Sequence, residues 1–277
     1  MQIERGQVAV VVGGASGLGL GLAEQFAERG VSLVLGDVDT GPLEVAVARF
    51  EEAGVPVLGV PTDVRVASEV DALAAATLEH FGRVDIVVNA AGVATFSGAT
   101  WQVPLEDWRW VLSVNLDGVM HGIHSFVPHL VEQGSGHVVN VASMAGVSTG
   151  PGLSPYLVSK HGVVALSQGL RDELAELAPG VGVTTVCPGT MATNIHKAER
   201  NRPAELQRPP TEHDGAPLAG FGPWARGMSD AEIVPVADAA PVVIAAIEAD
   251  EEFTFPNGAP SEVLAWHQRI ERALPEL

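Results

Sequence analysis

Residues 10–26 read VVVGGASGLGLGLAEQF, three valines passing through a glycine-rich turn into an amphipathic run. An unbroken apolar, β-branched run fits a strand buried on both faces, and the run after the turn has helical spacing. Between the two lie Gly13, Gly17 and Gly19, with Ser16 and Leu18 inside the same turn. Glycines there allow a tight reversal and close approach of a pyrophosphate, whose charge a helix N-terminus favours. A glycine turn alone is a weak signal. Placed between a strand and a helix, it predicts the opening unit of a dinucleotide-binding sheet.

Outward from this unit the rhythm repeats. Short apolar runs recur as VSLVLGD at 31–37, VPVLGV at 55–60, VDIVVNA at 84–90, GHVVNVAS at 136–143 and VGVTTVCPG at 181–189. Longer amphipathic stretches separate them, at 18–29, 43–53, 68–81 and 105–130. Apolar strands alternating with helices predict an α/β fold, a doubly wound parallel sheet of Rossmann type with helices on both faces. No linker or repeat divides the first 190 residues, so 1–277 is expected to be one domain. Helical patterning returns at 236–249 and around 262–274. Before them, residues 191–230 mix prolines, glycines, charges and aromatics without a period, which predicts a lid over a ligand.

Composition limits the partners. A formal net charge of −19 argues against a nucleic-acid backbone or an anionic membrane surface, both of which require clustered Lys and Arg. Cys187 is the only cysteine, which excludes an internal disulfide and fits a reducing compartment; its apolar surroundings suggest a core residue. The opening MQIERGQVAV has no basic region followed by an apolar one, and no apolar run has transmembrane length. A cytoplasmic protein is expected. His121, His124 and His129 lie in one predicted helix, but no carboxylate or cysteine completes a metal-ligand set with them. Trp101, Trp108 and Trp110 precede them, with spacing that suits a mixture of core and pocket edge.

Two further features carry chemistry. Asp37 ends the second predicted strand, eighteen positions after Gly19, where a carboxylate can accept adenosine-ribose hydroxyls and repel a 2′-phosphate. No Lys or Arg lies in residues 13–19 to neutralise such a phosphate, so NAD is the expected cofactor. The second feature is YLVSK at 156–160. The sole tyrosine, Tyr156, stands one helical turn from Lys160, one of two lysines in the chain. A free tyrosine has a pKa near 10. A nearby ammonium and a nicotinamide cation favour the phenolate, so Lys160 is expected to lower that value. Ser143, at the carboxyl end of a predicted strand, lies where open α/β sheets present ligands.

Taken in order, these motifs resemble the short-chain dehydrogenase/reductase family, in its single-domain group with three residues between tyrosine and lysine. The matching positions are Gly13, Gly17 and Gly19, Asp63-Val64, Asn89-Ala90-Ala91-Gly92, Asn115, Ser143, Tyr156 with Lys160, and Pro188-Gly189, spread over about residues 5–193. Val12 departs from the family's usual threonine, and FTFPNGAPSEVL replaces its glycine-rich final strand. The resemblance implies a nicotinamide-dependent alcohol dehydrogenase or ketone reductase. In it Ser143 holds the substrate oxygen and Tyr156 transfers the proton. Lys160 also holds the nicotinamide ribose, and Asn115 holds a water that relays protons. It further implies cofactor contacts at Ser16, Leu18, Met191 and Thr193, a substrate contact at Ala145, and a homodimer or homotetramer. A non-catalytic NAD sensor is the competing class, but it would be free to lose Tyr156 or Lys160.

The substrate is expected to be a bulky, hydrophobic secondary alcohol, aromatic or alicyclic. Phe221 and Trp224 in the predicted lid can cover such a molecule. The stretches TNIHKAERNRPAEL and FTFPNGAPSEVL are also similar to a subgroup of bacterial dehydrogenases acting on benzylic alcohols of lignin-derived aryl ethers. Steroid-like alcohols and cyclic diols stay open alternatives.

Overall fold

Strand β1 (Val8–Val12) is buried along its whole length, and its side chains divide between two cores. Val8, Val10 and Val12 join the core on one face, while Ala9 and Val11 join the core on the other. The same alternation holds in β4 (Ile86–Asn89), where Val87 faces one way and Ile86 and Val88 the other. A strand buried on both faces requires helices on both faces, and the chain supplies them in alternation.

The computed structural model describes residues 1–95, 98–211, 233–258 and 260–273. After β1 come α1 (Gly17–Glu28), β2 (Ser32–Asp37), α2 (Thr40–Glu52), β3 (Val57–Pro61), α3 (Ala67–Phe81) and β4. Then follow α4 (Leu105–Leu112), α5 (Gly118–Gln133), β5 (Gly136–Val141), α6 (Ser154–Leu177), β6 (Val181–Val186), α7 (Val236–Ala249), β7 (Phe253–Thr254) and α8 (Pro260–Glu271). All strand pairs are parallel, in the order β3-β2-β1-β4-β5-β6-β7. The order reverses between β1 and β4, which opens a crevice at their carboxyl ends. Gly13 follows β1 there, and Ala90 follows β4. Among the described residues no helix is long and apolar enough to cross a membrane.

Two differences from the sequence reading have physical causes. The predicted helix at 105–130 is divided: α4 and α5 are joined by a π-helical segment, Ser113–Asp117, that contains Asn115. An extra residue in the turn, common at functional sites, does not disturb apolar periodicity enough to be read. The seventh strand, only two residues long, lies below the length at which strand alternation is visible.

Opposite the crevice lies a buried histidine. His137, in β5, donates from Nε2 to the Thr184 hydroxyl at 2.9 Å, and that hydroxyl donates onward to the Glu251 carbonyl at 2.7 Å. Burial pushes its pKa down to about 4; Asp250, 3.9 Å away, opposes this, and Arg171 reinforces it. The unfolded chain, with an ordinary imidazole near 6.5, therefore takes up the proton first. Stability from this group is present above that value and is lost as pH falls towards 4. His137→Gln keeps a donor for Thr184 and removes the titration. From pH 7 to pH 5, the wild type should lose about 2 kcal/mol more unfolding free energy than the variant, read by urea denaturation. Equal losses would contradict the assignment.

Candidate active site

The glycine turn is shaped by contacts that no side chain could share. Gly13 and Gly17 have φ of +82° and +53°, in the left-handed region open to glycine. A Cβ on Gly13 would meet the Ala91 amide nitrogen at 2.5 Å, and one on Gly19 would collide with the Gly13 carbonyl. The turns after β1 and β4 thus touch. Ser16 caps α1 without a side-chain hydrogen bond, and no acidic residue occupies the first turn, so the positive end of the helix is unopposed. Thr193 faces Gly17 across the turn, 3.4 Å from where a Cβ would stand.

Asp37 closes this cradle. Its two oxygens accept from the Ala15 and Asp39 amides, each at 3.0 Å. Burial raises its pKa, and these amides pull the other way. Asp63 is gripped by Arg65 through contacts of 2.6 to 3.1 Å. Val64 is buried, and its carbonyl accepts from His121 Nδ1 at 2.7 Å. His121, read in the sequence as a conceivable ligand, is therefore a brace for that loop. Among the described residues no three His, Cys, Asp or Glu side chains are grouped to hold a metal. Asn89 donates to Asn140 at 2.8 Å, Asn140 to Ser167 at 3.0 Å, and Ser167 to the Val163 carbonyl at 2.7 Å. This buried chain ties β4, β5 and α6 together directly beneath the crevice. Glycines that clear the backbone, an uncapped helix N-terminus and a ribose-height carboxylate fit a dinucleotide.

The predicted catalytic residues converge beside it. Ser143 follows β5; its hydroxyl accepts from the Ala145 amide at 3.1 Å and faces the Tyr156 phenol. Tyr156 lies in the first turn of α6, where Pro155 suits the helix start. Lys160, one turn on, is 3% exposed and donates from Nζ to the Val141 carbonyl at 2.8 Å. Burial pushes its pKa down to about 8, with Cys187 opposing. Cys187 is itself buried, and its thiol is pushed up to about 12, so it is no nucleophile.

One expectation needs correction. Lys160 was expected to lower the Tyr156 pKa. Burial raises it instead, opposed by Ser143; the ammonium lies 5.7 Å from the ring centroid and gives one of its three N–H groups to the Val141 carbonyl. Protein groups alone thus favour the neutral phenol. Asn115 was expected to hold a relay water. Its side chain is a tie: Oδ1 accepts from the Val93 amide at 2.8 Å, and Nδ2 donates to the Val93 carbonyl at 2.9 Å and to Ser159 at 3.1 Å. Ser159 in turn donates to the Tyr156 carbonyl at 2.7 Å, so Asn115 fixes both the loop after β4 and the start of α6. Only the second acceptor position of Oδ1 is left for a water. A Cβ on Gly92 would stand 3.7 Å from both this oxygen and Lys160 Nζ, so the three groups meet.

Sequence reasoning missed a strap. The segment 195–208 was read as unpatterned lid, and it contains two short 3-10 helices, Ile195–Asn201 and Ala204–Leu206. It is pinned on two sides by alternating ion pairs. Arg200 pairs with Asp39 at 3.1 Å and Glu205 with Arg65 at 2.8 Å, on the Asp37 side. On the other side Arg202 and Arg208 both bind Asp107 of α4 at 2.7 Å, and the Arg202 guanidinium lies over the Trp110 ring, 4.2 Å from its centroid. The partners are about 95 to 160 residues apart, so no local pattern announces them. Met191 forms a bridge with Val234 where the strap begins. Trp101 is exposed and Trp108 half-buried. Phe221 and Trp224 lie outside the described residues.

This fold and this site define a Rossmann-type oxidoreductase class. A family model described as short chain dehydrogenase matches residues 7–204, and the chain belongs to that family. A short chain dehydrogenase/reductase from Burkholderia phymatum, solved in complex with NAD, is 36% identical, superposes with a TM-score of 0.91, and covers 100% of this chain and 99% of its own. A C alpha-dehydrogenase from a Sphingobium species is 35% identical over 208 residues, 72% of this chain and 65% of the relative. The hydroxy(phenyl)methylsuccinyl-CoA dehydrogenase subunit BbsD of Thauera aromatica is 35% identical over 213 residues, 76% of this chain and 84% of that subunit.

Asp107 and Arg202 are almost fully buried, so removing Asp107 leaves the buried Arg202 guanidinium with Glu199 as its only carboxylate among the described residues and costs Arg208 an anchor. Asp107→Ala should lower stability by about 3 kcal/mol in denaturant titration. Glu205→Ala, at the exposed Arg65 pair, should leave the melting temperature nearly unchanged. Equal effects would show that the Asp107 contacts are not a buried ionic pin.

Proposed function

We propose that this chain is an NAD-dependent oxidoreductase that interconverts a secondary alcohol and its ketone, with Tyr156 as general acid and base. The observation that carries the reading is the meeting of Ser143, Tyr156 and Lys160 at the β1/β4 crevice, beside a glycine cradle that fits a dinucleotide. A bound nicotinamide ring supplies or accepts the hydride. Ser143 holds the substrate oxygen against the Tyr156 phenol. In reduction Tyr156 gives its proton to that oxygen, and burial keeps the phenol protonated beforehand. In oxidation it must accept the proton, and the positive charge nearby comes from Lys160 together with the oxidised ring. Lys160, already close to the phenol, is also placed to hold ribose hydroxyls.

Asp37 supports NAD over NADP, because a 2′-phosphate would meet a carboxylate whose oxygens already face the turn. Arg200, the nearest guanidinium from the strap, is committed to Asp39. The Burkholderia relative's NAD complex supports the same reading. For the substrate, we infer a bulky hydrophobic alcohol, aromatic or alicyclic. The support is the phenyl carbinol in the name of the Thauera relative and the C alpha-dehydrogenase similarity. The lid at 191–230, in a single domain 1–277, belongs to this proposal. So does a homodimer or homotetramer: Met120 and Val131 of α5 and Val158 and Leu177 of α6 are exposed apolar side chains.

Oxidation of 1-phenylethanol-type and larger aryl carbinols, short aliphatic alcohols and sugars should be compared with both cofactors. NAD should be favoured over NADP by at least about tenfold in kcat/KM, ~1.4 kcal/mol. Aryl carbinols should exceed the small polar alcohols. Equal cofactor use would defeat the Asp37 argument, and a preference for sugars would defeat the substrate class.

A further inference from the structure

Beyond β7 the chain has the sequence FPNG at 255–258, and there the sheet ladder changes character. β7 pairs with β6 through Thr185–Phe253 and Val186–Thr254, and the Cys187 amide adds one more bond to the Thr254 carbonyl at 2.8 Å. Pro256 has no amide hydrogen and ends the regular pairing. Asn257 then takes over with its side chain. Oδ1 accepts from the Gly189 amide at 2.9 Å, and Nδ2 donates to the Thr190 carbonyl at 2.7 Å. A primary amide presents one carbonyl and one N–H group as a peptide does, so this side chain acts as one further rung against the loop 188–190.

The fit leaves little freedom. A Cβ on Gly189 would stand 2.8 Å from the Asn257 carbonyl, and one on Gly258 would stand 2.6 Å from the Met144 sulfur. On its other side the loop is held by the catalytic turn: the Met144 amide donates to the Pro188 carbonyl at 2.9 Å, and the Ser143 hydroxyl approaches the same carbonyl at 3.5 Å. Pro188-Gly189-Thr190 is therefore clamped between Ser143-Met144 and Asn257. This loop leaves the carboxyl end of β6, with β4 and β5 between it and the glycine cradle, and lies next to Ser143. On the dinucleotide reading proposed above, that is the nicotinamide end of the site.

We propose that Asn257 is a positioning residue that sets the Pro188–Thr190 loop against the nicotinamide half of the bound cofactor. It acts through the loop, so its loss should be felt at one end of the dinucleotide only. Without Asn257 the Gly189 amide loses its partner and the Thr190 carbonyl keeps only the Val234 amide, at 3.2 Å, so the loop is held on the Met144 side and loosened at Gly189-Thr190. The adenosine half depends on the glycine cradle and Asp37, which Asn257 does not touch.

The test compares NADH with ADP-ribose, which lacks the nicotinamide ring. Binding of each is titrated to the full chain as wild type, Asn257→Ala and Asn257→Asp, with melting temperatures measured in parallel. Asn257→Ala should weaken NADH about tenfold while ADP-ribose changes less than about twofold, a difference of ~1 kcal/mol. Asn257→Asp keeps the acceptor for Gly189, loses the donor to Thr190, and should fall between. A general loosening of the fold would weaken both ligands alike, and that result overturns the proposal, as does unchanged NADH binding in both variants. Failure of the wild type to bind NADH would overturn the cofactor reading itself, and this proposal with it.

Discussion

Every strand of the sheet runs the same way, and that constraint organises the rest of the molecule. Parallel neighbours cannot be joined by a hairpin, so each strand returns through a crossover, and all carboxyl ends open on one edge. Gly13 follows β1, Asp37 ends β2, Ala90 and Gly92 follow β4, Ser143 follows β5 and Pro188 follows β6. Residues up to 175 positions apart in sequence thereby meet within one crevice. The Asn89–Asn140–Ser167 chain holds the strands and α6 in the alignment that this meeting requires.

Burial then sets the chemistry. Lys160 has its ammonium inside the protein with one carbonyl as partner, which draws its pKa down to about 8. Tyr156 is pushed the opposite way by the same loss of water. Both shifts favour the uncharged forms and move the two groups apart on the pH scale, the phenol above its ordinary value and the ammonium below it. The Asn115 side chain fixes the loop after β4 and, through Ser159, the first turn of α6.

What could be read from the sequence divides by range. The buried valine strands, the glycine turn, Asp37 and the Tyr156–Lys160 pair are local signals, each fixed by the period of one strand or one helical turn. Contacts between distant segments left no such trace. Asp107 reads as an ordinary charge in the first turn of a helix, yet it is a buried anchor for two arginines from the strap. Arg200 gives no hint of Asp39, and Asn257 none of Gly189. The direction of the Tyr156 shift was misjudged for the same reason: Lys160 is near in sequence, but only the fold reveals how far the phenol is withdrawn from water. The two short 3-10 helices of the strap carry no periodicity to detect.

The account rests on one phenol as the proton-transfer group, and Tyr156→Phe addresses that directly. Removing a single oxygen from a half-buried ring should leave the glycine cradle and Asp37 untouched. Turnover of the best alcohol substrate should fall below about a hundredth of wild type, while the dissociation constant for NADH stays within about threefold. If the variant kept more than about a tenth of wild-type turnover, proton transfer would belong to another group and the account would be wrong.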